Sequence, residues 1–232
     1  MKIIFLGTGA GSTKGTKRFK SSIYINSGNN SVILDLGTGA NMRIDDYNLY
    51  NFEAIMITHL HIDHFNGIFD HLVQRKLSNL PVIKVHSPVG FSKILESYIR
   101  AGNNVEAIIY EDNLPKLKLD DLYIYSIPSC HSIYAVSYII LDKNRKILYS
   151  GDTSEPCEEI IKEAKDADLI IHECSCLDNC RKWGHSSLRD LISLFSEKRV
   201  ILTHIPSQIE KDIIEGARNK FLIAEDGLVI NV

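Results

Sequence analysis

Apolar positions along this chain recur in two rhythms. Short runs rich in Ile, Val and Tyr predict strands near 2–7, 21–27, 31–36, 54–58, 81–86, 106–110, 122–127, 134–141, 146–150, 168–172, 199–203 and 221–231. Ser27-Gly28-Asn29-Asn30 and Asp142-Lys143-Asn144-Arg145 carry turn residues between strand pairs. Helical spacing appears at Ile68, Leu72, Val73 and Leu77, then at Ile94, Leu95, Tyr98 and Ile99. It returns at Ile160, Ile161 and Ala164, and at Leu188, Leu191, Ile192 and Phe195. A further helix is expected after Pro206. Ser187 with Asp190 reads as a capping box, and Pro156 suits the first turn of the helix through Ile160. The first half is strand-rich and the second alternates strand with helix, which predicts sheets covered by helices on their outer faces. No linker, low-complexity tract or sequence repeat divides the chain, so one domain over 1–232 is expected.

Composition narrows the class. Hydrophobic residues make up 44% and charged residues 24%, the balance of a soluble globular protein. A net charge of -3 does not announce a nucleic-acid binder. No apolar run approaches the roughly 20 residues that span a bilayer. The opening Met1-Lys2-Ile3-Ile4-Phe5-Leu6 is too short for a signal peptide and reads as a first strand, so a cytoplasmic protein is the default.

The chemistry concentrates after the strand Ala54-Ile55-Met56-Ile57. Thr58-His59-Leu60-His61-Ile62-Asp63-His64 places three histidines and an aspartate within six residues. Imidazole nitrogen and carboxylate oxygen together suit zinc and similar divalent ions. On extended backbone His59 and His61 share a face and can chelate one ion, while Asp63 and His64 lie past the bend and can turn toward a second. His131, Asp152 and His204 each follow a predicted strand, and His185 precedes a predicted helix.

Taken together, His59-x-His61-x-Asp63-His64, His131, Gly151-Asp152-Thr153, Thr203-His204 and Asp35 in Leu34-Asp35-Leu36-Gly37 resemble the metallo-β-lactamase superfamily of hydrolases. The resemblance spans nearly the whole chain and all five motif regions. It narrows further at Leu6-Gly7-Thr8-Gly9-Ala10-Gly11, Ser21-Ser22, His172-Glu173, Gly184-His185-Ser186-Ser187 and Thr203-His204-Ile205, which resemble tRNase Z enzymes, the nucleases that cut the 3′ trailer from precursor tRNA. The resemblance implies an α/β fold, a four-layer αββα sandwich with two divalent metal ions in a cleft at one edge of the sheets. Zinc is the expected metal, and manganese or iron(II) also accept such a His/Asp set. It further implies that His59, His61 and His131 hold one ion, that Asp63, His64 and His204 hold the other, and that Asp152 bridges them beside a hydroxide. Asp63 could orient the nucleophile or shuttle its proton, and His185 would contact the scissile phosphate. Asp35 is expected to support the metal loop through hydrogen bonds rather than to ligate. A homodimer is common among the resembled enzymes.

Two departures bear on the substrate. His131 and Asp152 are 21 positions apart. In the short tRNase Z enzymes a long arm that grips tRNA is inserted there, whereas here Ile133 to Tyr149 fills the interval with a predicted hairpin. Pro206-Ser207-Gln208 also stands where that family has a Ser-Arg-Tyr-like run. The expected reaction is therefore phosphodiester cleavage, on precursor tRNA or RNA 3′ ends, or on small or cyclic phosphodiesters that need no arm. A lactonase or thioesterase on the same metals is the alternative. A mononuclear-iron oxygenase is a third reading, against which the complete second set of Asp63, His64 and His204 argues.

Three other features invite readings. Gly7-Thr8-Gly9-Ala10-Gly11 after a strand suggests a dinucleotide fingerprint, but Ser12 stands at the third glycine position, so the glycines are expected to let backbone approach the cleft. Lys14, Lys17, Arg18 and Lys20 could grip phosphates flanking the cut bond or form a solvated loop. Among five cysteines, Cys174, Cys176 and Cys180 cluster, yet no fourth soft ligand is evident and the spacing is not a zinc pattern, so reduced cysteines are expected. His71 and His86 are expected to be structural or exposed.

Overall fold

A computed structural model of the chain describes residues 1–11 and 14–232. Its strands form two seven-stranded sheets. The first contains β1 (Lys2–Gly7), β2 (Ser22–Ser27), β3 (Asn30–Leu34), β4 (Ala54–Met56), β5 (Ile83–Ser87) and β6 (Ala107–Glu111), and the chain's last strand, β14 (Val229–Asn231), joins it beside β1. The second contains β7 (Lys116–Lys118), β8 (Tyr123–Pro128), β9 (Val136–Leu141), β10 (Lys146–Tyr149), β11 (Leu169–Glu173), β12 (Val200–Thr203) and β13 (Leu222–Ile223), in that spatial order. Each sheet is antiparallel at one end and parallel at the other, with the change at β3 and at β10.

The strand sequences explain the layering. Ile3-Ile4-Phe5-Leu6 has no polar position because neither face of β1 meets water. Ile3 and Phe5 point into the layer between the sheets, and Ile4 and Leu6 point toward the helices. The inner layer joins Ile23, Ile25, Val32 and Leu34 of the first sheet to Ile124, Tyr138, Ile147 and Ile171 of the second. Outside the first sheet lie α1 (Asn41–Asp46), α3 (Gly67–Leu77) and α4 (Phe91–Arg100), which contribute Ile44, Ile68, Leu72, Phe91 and Leu95. Outside the second lie α5 (Glu158–Ala164), α6 (Leu188–Phe195) and α7 (Glu210–Ala217), which contribute Ile160, Leu191, Phe195 and Ile213. The result is the expected four-layer αββα sandwich. Each fully buried Ile, Leu or Phe contributes about 1.5–3 kcal/mol. Among the described residues no helix is long and apolar enough to cross a membrane.

Several local expectations hold and several need correction. Ser187 caps α6: its hydroxyl accepts from the Asp190 amide at 3.1 Å and donates to the Asp190 carboxylate at 2.6 Å. Pro156 lies outside α5, which begins at Glu158 behind an N-cap at Cys157. The apolar stretch 221–231 is two strands in different sheets, since Glu225-Asp226-Gly227 breaks it and carries the chain from β13 to β14. The short helix α1 and the edge strand β7 escape periodicity analysis, being only six and three residues long. The tight Asp142–Arg145 turn joins β9 to β10 directly, so the interval between His131 and Asp152 is a hairpin with no arm. His71 and His86 are buried and stack on Phe52 and Tyr110.

The cysteines are not all reduced. Cys130 bonds Cys157 across 27 residues, joining the end of β8 to the start of α5, and Cys176 bonds Cys180 within one loop. Only the fold brings the first pair together, so no sequence spacing announces it. Cys174 is free and buried, and burial pushes its thiol pKa up. Denatured without reductant, the chain should titrate one thiol, that of Cys174, and five after reduction. Thiol titration under both conditions checks this, and five thiols before reduction would contradict both bridges.

Candidate active site

Loops at one edge of both sheets carry the polar residues. His59 and His61 follow β4, and Asp63 and His64 sit on the single turn α2 (Ile62–Phe65). His131 follows β8, Asp152 follows β10, His204 follows β12, and His185 lies in the loop before α6. The chain bends sharply where these strands end. Asp35 and His204 adopt left-handed backbone with φ of 54° and 55°, and Gly151 does the same at 55°. For a side-chain-bearing residue this conformation costs on the order of 1–3 kcal/mol, so the surroundings must impose it. Gly151 meets the requirement without that cost, and a Cβ there would also press on Thr58 at 2.9 Å.

The seven predicted ligands converge. His59 Nε2 and His131 Nε2 lie 3.1 and 3.0 Å from His61 Nδ1, and 3.6 and 3.9 Å from Asp152 Oδ2. On the other side His64 Nε2 and His204 Nε2 lie 3.3 and 3.4 Å from Asp152 Oδ1, and 3.8 and 3.3 Å from Asp63 Oδ2. Asp152 thus turns one oxygen to each group. A tetrahedral ion with bonds near 2.05 Å needs ligand atoms about 3.3 Å apart, which these separations bracket. His64 Nε2 and Asp152 Oδ1 are fully buried and form no hydrogen bond, although they face each other. Buried polar atoms of this kind require a partner, and a divalent cation between the groups satisfies both. The residues therefore fit divalent metal.

The outer nitrogens are also engaged, which fixes each ring's orientation. His59 Nδ1 lies 3.0 Å from Thr58 Oγ1, and His64 Nδ1 lies 2.8 Å from Asp35 Oδ2. His131 Nδ1 meets the Gly184 carbonyl at 2.7 Å, and His204 Nδ1 meets Ser175 Oγ at 2.9 Å. Asp35 is fully buried and also accepts from the Thr58 amide at 2.7 Å and the Tyr149 hydroxyl at 2.8 Å. It supports the metal loop without entering either ligand group. Asp63 does not cap α2; its Oδ2 accepts from the Gly11 amide at 2.8 Å, so the glycine-rich segment does approach the cleft.

Electrostatics suit the donor set. Burial drives the pKa of His59, His61 and His131 down, which keeps them neutral and able to ligate. Burial alone would raise Asp63 and Asp152, but the surrounding imidazoles outweigh it and hold both carboxyls below their usual range. His64 is raised despite burial because Asp152 and Asp35 flank its two nitrogens. His185 stands apart. Burial lowers its pKa, but the Glu173 carboxylate, 2.8 Å from Nδ1, and Asp152 at 3.9 Å push it up to about 9.

Glu173 is a residue whose role the sequence did not reveal. Besides His185 it accepts from the Thr153 and Ser186 amides at 3.2 and 3.1 Å and from Ser175 Oγ at 2.6 Å. It therefore orients His185 directly and His204 through Ser175. The neighbouring His172 turns away, pairing with buried Glu155 at 3.2 Å. The basic cluster divides. Arg18 is bound to Glu210 at 2.7 Å and to the Ala224 carbonyl at 2.6 Å, and Lys20 is buried with Nζ on the Ala10 carbonyl at 2.8 Å. Both are structural, and only Lys14 and Lys17 are exposed. A cavity of about 380 Å³ opens on the centre, lined by His61, Asp63, Asp152, His185 and His204 with Ala10, Gly11, Ser175, Trp183 and Pro206.

This fold and this site define a metal-dependent hydrolase of the metallo-β-lactamase superfamily, in its ribonuclease Z-like branch. The chain belongs to the family described as anti-Pycsar protein Apyc1, whose pattern matches residues 1–227. It is 25% identical to the ribonuclease Z of Archaeoglobus fulgidus over 303 aligned positions, covering 100% of this chain and 97% of that one. Since this chain has 232 residues, that relative carries segments with no counterpart here. Among solved structures, the human short-form tRNase Z, ELAC1, superposes with a TM-score of 0.81 at 24% identity, covering 100% of this chain and 99% of that one. The metallo-β-lactamase fold protein YhfI of Bacillus subtilis superposes with a TM-score of 0.82 at 19% identity, covering 99% and 98%.

Asp35→Asn tests the outer support. The amide can still accept from Thr58, but it presents an NH2 group where Asp35 Oδ2 meets Tyr149 and His64. Metal affinity should fall roughly 10- to 100-fold, measured by chelator competition on the folded variant. Unchanged affinity would reduce Asp35 to a packing residue.

Proposed function

We propose that the chain hydrolyses small phosphodiesters, cyclic and short nucleoside esters above all, at a dinuclear and preferentially zinc centre. His59, His61 and His131 would hold one ion, Asp63, His64 and His204 the other, with Asp152 shared between them. The observation that carries this reading is the split of the Asp152 carboxylate between two histidine groups, with His185 beside it on a buried glutamate. Two divalent ions bound there supply Lewis acidity toward the phosphoryl oxygens and lower the pKa of water to near neutrality.

The chain's own side chains supply the rest. Asp63 Oδ2 is fixed by the Gly11 amide, leaving the carboxylate to orient attacking water and accept its proton. His185, held as an imidazolium by Glu173, faces the Asp152 side of the cavity. There it can neutralise charge developing on the phosphorus oxygens and donate its Nε2 proton to the leaving oxygen. Glu173, tied to two backbone amides and Ser175, keeps that ring from turning away.

The hairpin in place of an arm favours small substrates. The name of the Archaeoglobus relative supports a second reading, cleavage at RNA 3′ ends. A panel of nucleoside cyclic monophosphates, a chromogenic phosphodiester, 3′-extended precursor tRNA and a lactone separates them. Cyclic nucleotides and the chromogenic ester should be turned over. Preferred trimming of precursor tRNA would establish the RNA reading instead, and turnover of the lactone alone would overturn phosphodiester cleavage. His185→Ala should lower kcat by about 10²–10⁴-fold with metal content per chain intact. Loss of metal in that variant would make His185 a ligand rather than a proton donor.

A further inference from the structure

The chain has one tryptophan, and it is not used for folding. Trp183 belongs to none of the three buried apolar clusters and is 59% exposed. It sits instead on the wall of the cavity that opens on the metal ligands, one residue removed from His185. Apart from histidines, it is the one aromatic ring among the described lining residues. The non-ligand remainder of the lining, Ala10, Gly11, Ser175 and Pro206, is small and leaves room beside the indole.

The indole stands on a braced turn. Trp183 closes a 3-10 turn over Arg181–Trp183, and its amide donates to the Cys180 carbonyl at 2.9 Å within the loop that the Cys176–Cys180 bridge closes. The next carbonyl, that of Gly184, takes the 2.7 Å contact with His131 Nδ1. One segment therefore fixes the indole, a metal-ligand histidine and the proton donor relative to one another. The ammonium of Lys182 lies 4.5 Å from the ring centroid, a cation over a π-face that further restricts the indole. Two residues of backbone span at most about 7 Å. Both rings therefore reach one cavity from neighbouring positions on its wall, with His185 beside Asp152 and Trp183 the more exposed, an arrangement that can meet a phosphate and its attached base together.

We infer that Trp183 is the substrate's nucleobase platform: a base of the ester being cut stacks on the indole while its phosphate lies at His185. The inference rests on the phosphodiesterase reading and adds to it the class of group beside the scissile phosphate. Every base has a π-face, so stacking gives affinity for nucleosides with little preference among bases. It also puts a specificity element on a rigid turn, where little ordering is lost on binding.

Because Trp183 is the chain's single tryptophan, its emission reports the contact without labels. A nucleoside cyclic monophosphate should quench it, and the base-free analogue, methyl riboside cyclic phosphate, should not. In turnover, Trp183→Ala should raise KM for the nucleotide about 5- to 100-fold, with a far smaller change in kcat, the pattern of lost uniform binding. The preference for nucleotide over base-free ester should collapse by a similar factor, and Trp183→Phe should restore most of it. Thermal melting of each variant establishes that it is folded. Equal quenching by both esters, or a KM in Trp183→Ala that matches wild type, overturns the platform. The two failures are distinct: base-dependent quenching without turnover of any ester removes the hydrolytic reading and leaves the stack, while turnover without base-dependent quenching does the reverse.

Discussion

A single buried carboxylate organises this molecule. Five imidazoles, those of His59, His64, His131, His185 and His204, come within 4 Å of Asp152. An ionised carboxylate without water costs several kcal/mol unless positive charge meets it, and imidazoles gathered that closely cannot all be protonated. Burial above all, with the neighbouring imidazoles adding to it, lowers the pKa of His59, His61 and His131 and leaves neutral nitrogens that a divalent cation can meet beside Asp152. His59 and His64 come from the loop of the first sheet, and His131, Asp152 and His204 from the second. The centre therefore exists only when the two sheets have packed, and ion binding at it contributes to folding stability as well as to chemistry.

The sheets prepare this meeting point by repeating one plan. Read as β14-β1-β2-β3-β4-β5-β6 and β7-β8-β9-β10-β11-β12-β13, both run through three antiparallel pairings and then three parallel ones. The fourth strand in each, β3 and β10, is followed by an aspartate: Asp35 in one and Asp152 in the other. The two have diverged in use. Asp152 faces the ligand groups, while Asp35 stands behind them, holding His64 and Thr58 and receiving the hydroxyl that Tyr149 sends across the inner layer. Apart from His131, which follows the antiparallel β8, the clustered groups lie beyond the carboxyl ends of strands with a parallel neighbour, as in other α/β sheets.

Much of this was legible in the chain because the residues involved are constrained twice. A strand buried on both faces is apolar nearly throughout, so β1, β4 and β12 stand out. His59, His61, Asp63, His64, His131, Asp152 and His204 lie just past strands, so they stand out against the apolar background, and all seven side chains converge. What could not be read lacks such a double constraint. Glu173 ends β11 as any polar residue might, and only the approach of Ser175, Ser186 and His185 makes it a hub. The repeat of the two sheets lies in strand direction, which leaves no residue identity to compare. The bridge between Cys130 and Cys157 depends on a hairpin folding back, and Arg18 and Lys20 read as surface charge until Glu210 and the Ala10 carbonyl are found around them. The stretch 221–231 looks like one strand because both of its halves are apolar, although they serve different sheets.

The same contrast bears on which substrates the site can take. In the proposed reaction the candidate ligands and His185 would act on the few atoms around a phosphorus, and nothing in their geometry depends on what lies beyond the ester. Reach must come from elsewhere. The interval after His131 is spent on the β9–β10 hairpin, whose turn is closed by Asp142. The guanidinium of Arg18 is committed to Glu210, Thr8 and Ala224, and the Lys20 ammonium is buried, so half of the nearby basic cluster offers no grip on a polyanion. With little charge to hold distant phosphates, discrimination falls to the cavity itself, where small side chains and one indole bound the space outside the ligands. A compact substrate can present its base, sugar and ester to that space at once, whereas a folded RNA would gain only what its terminal nucleotide can reach.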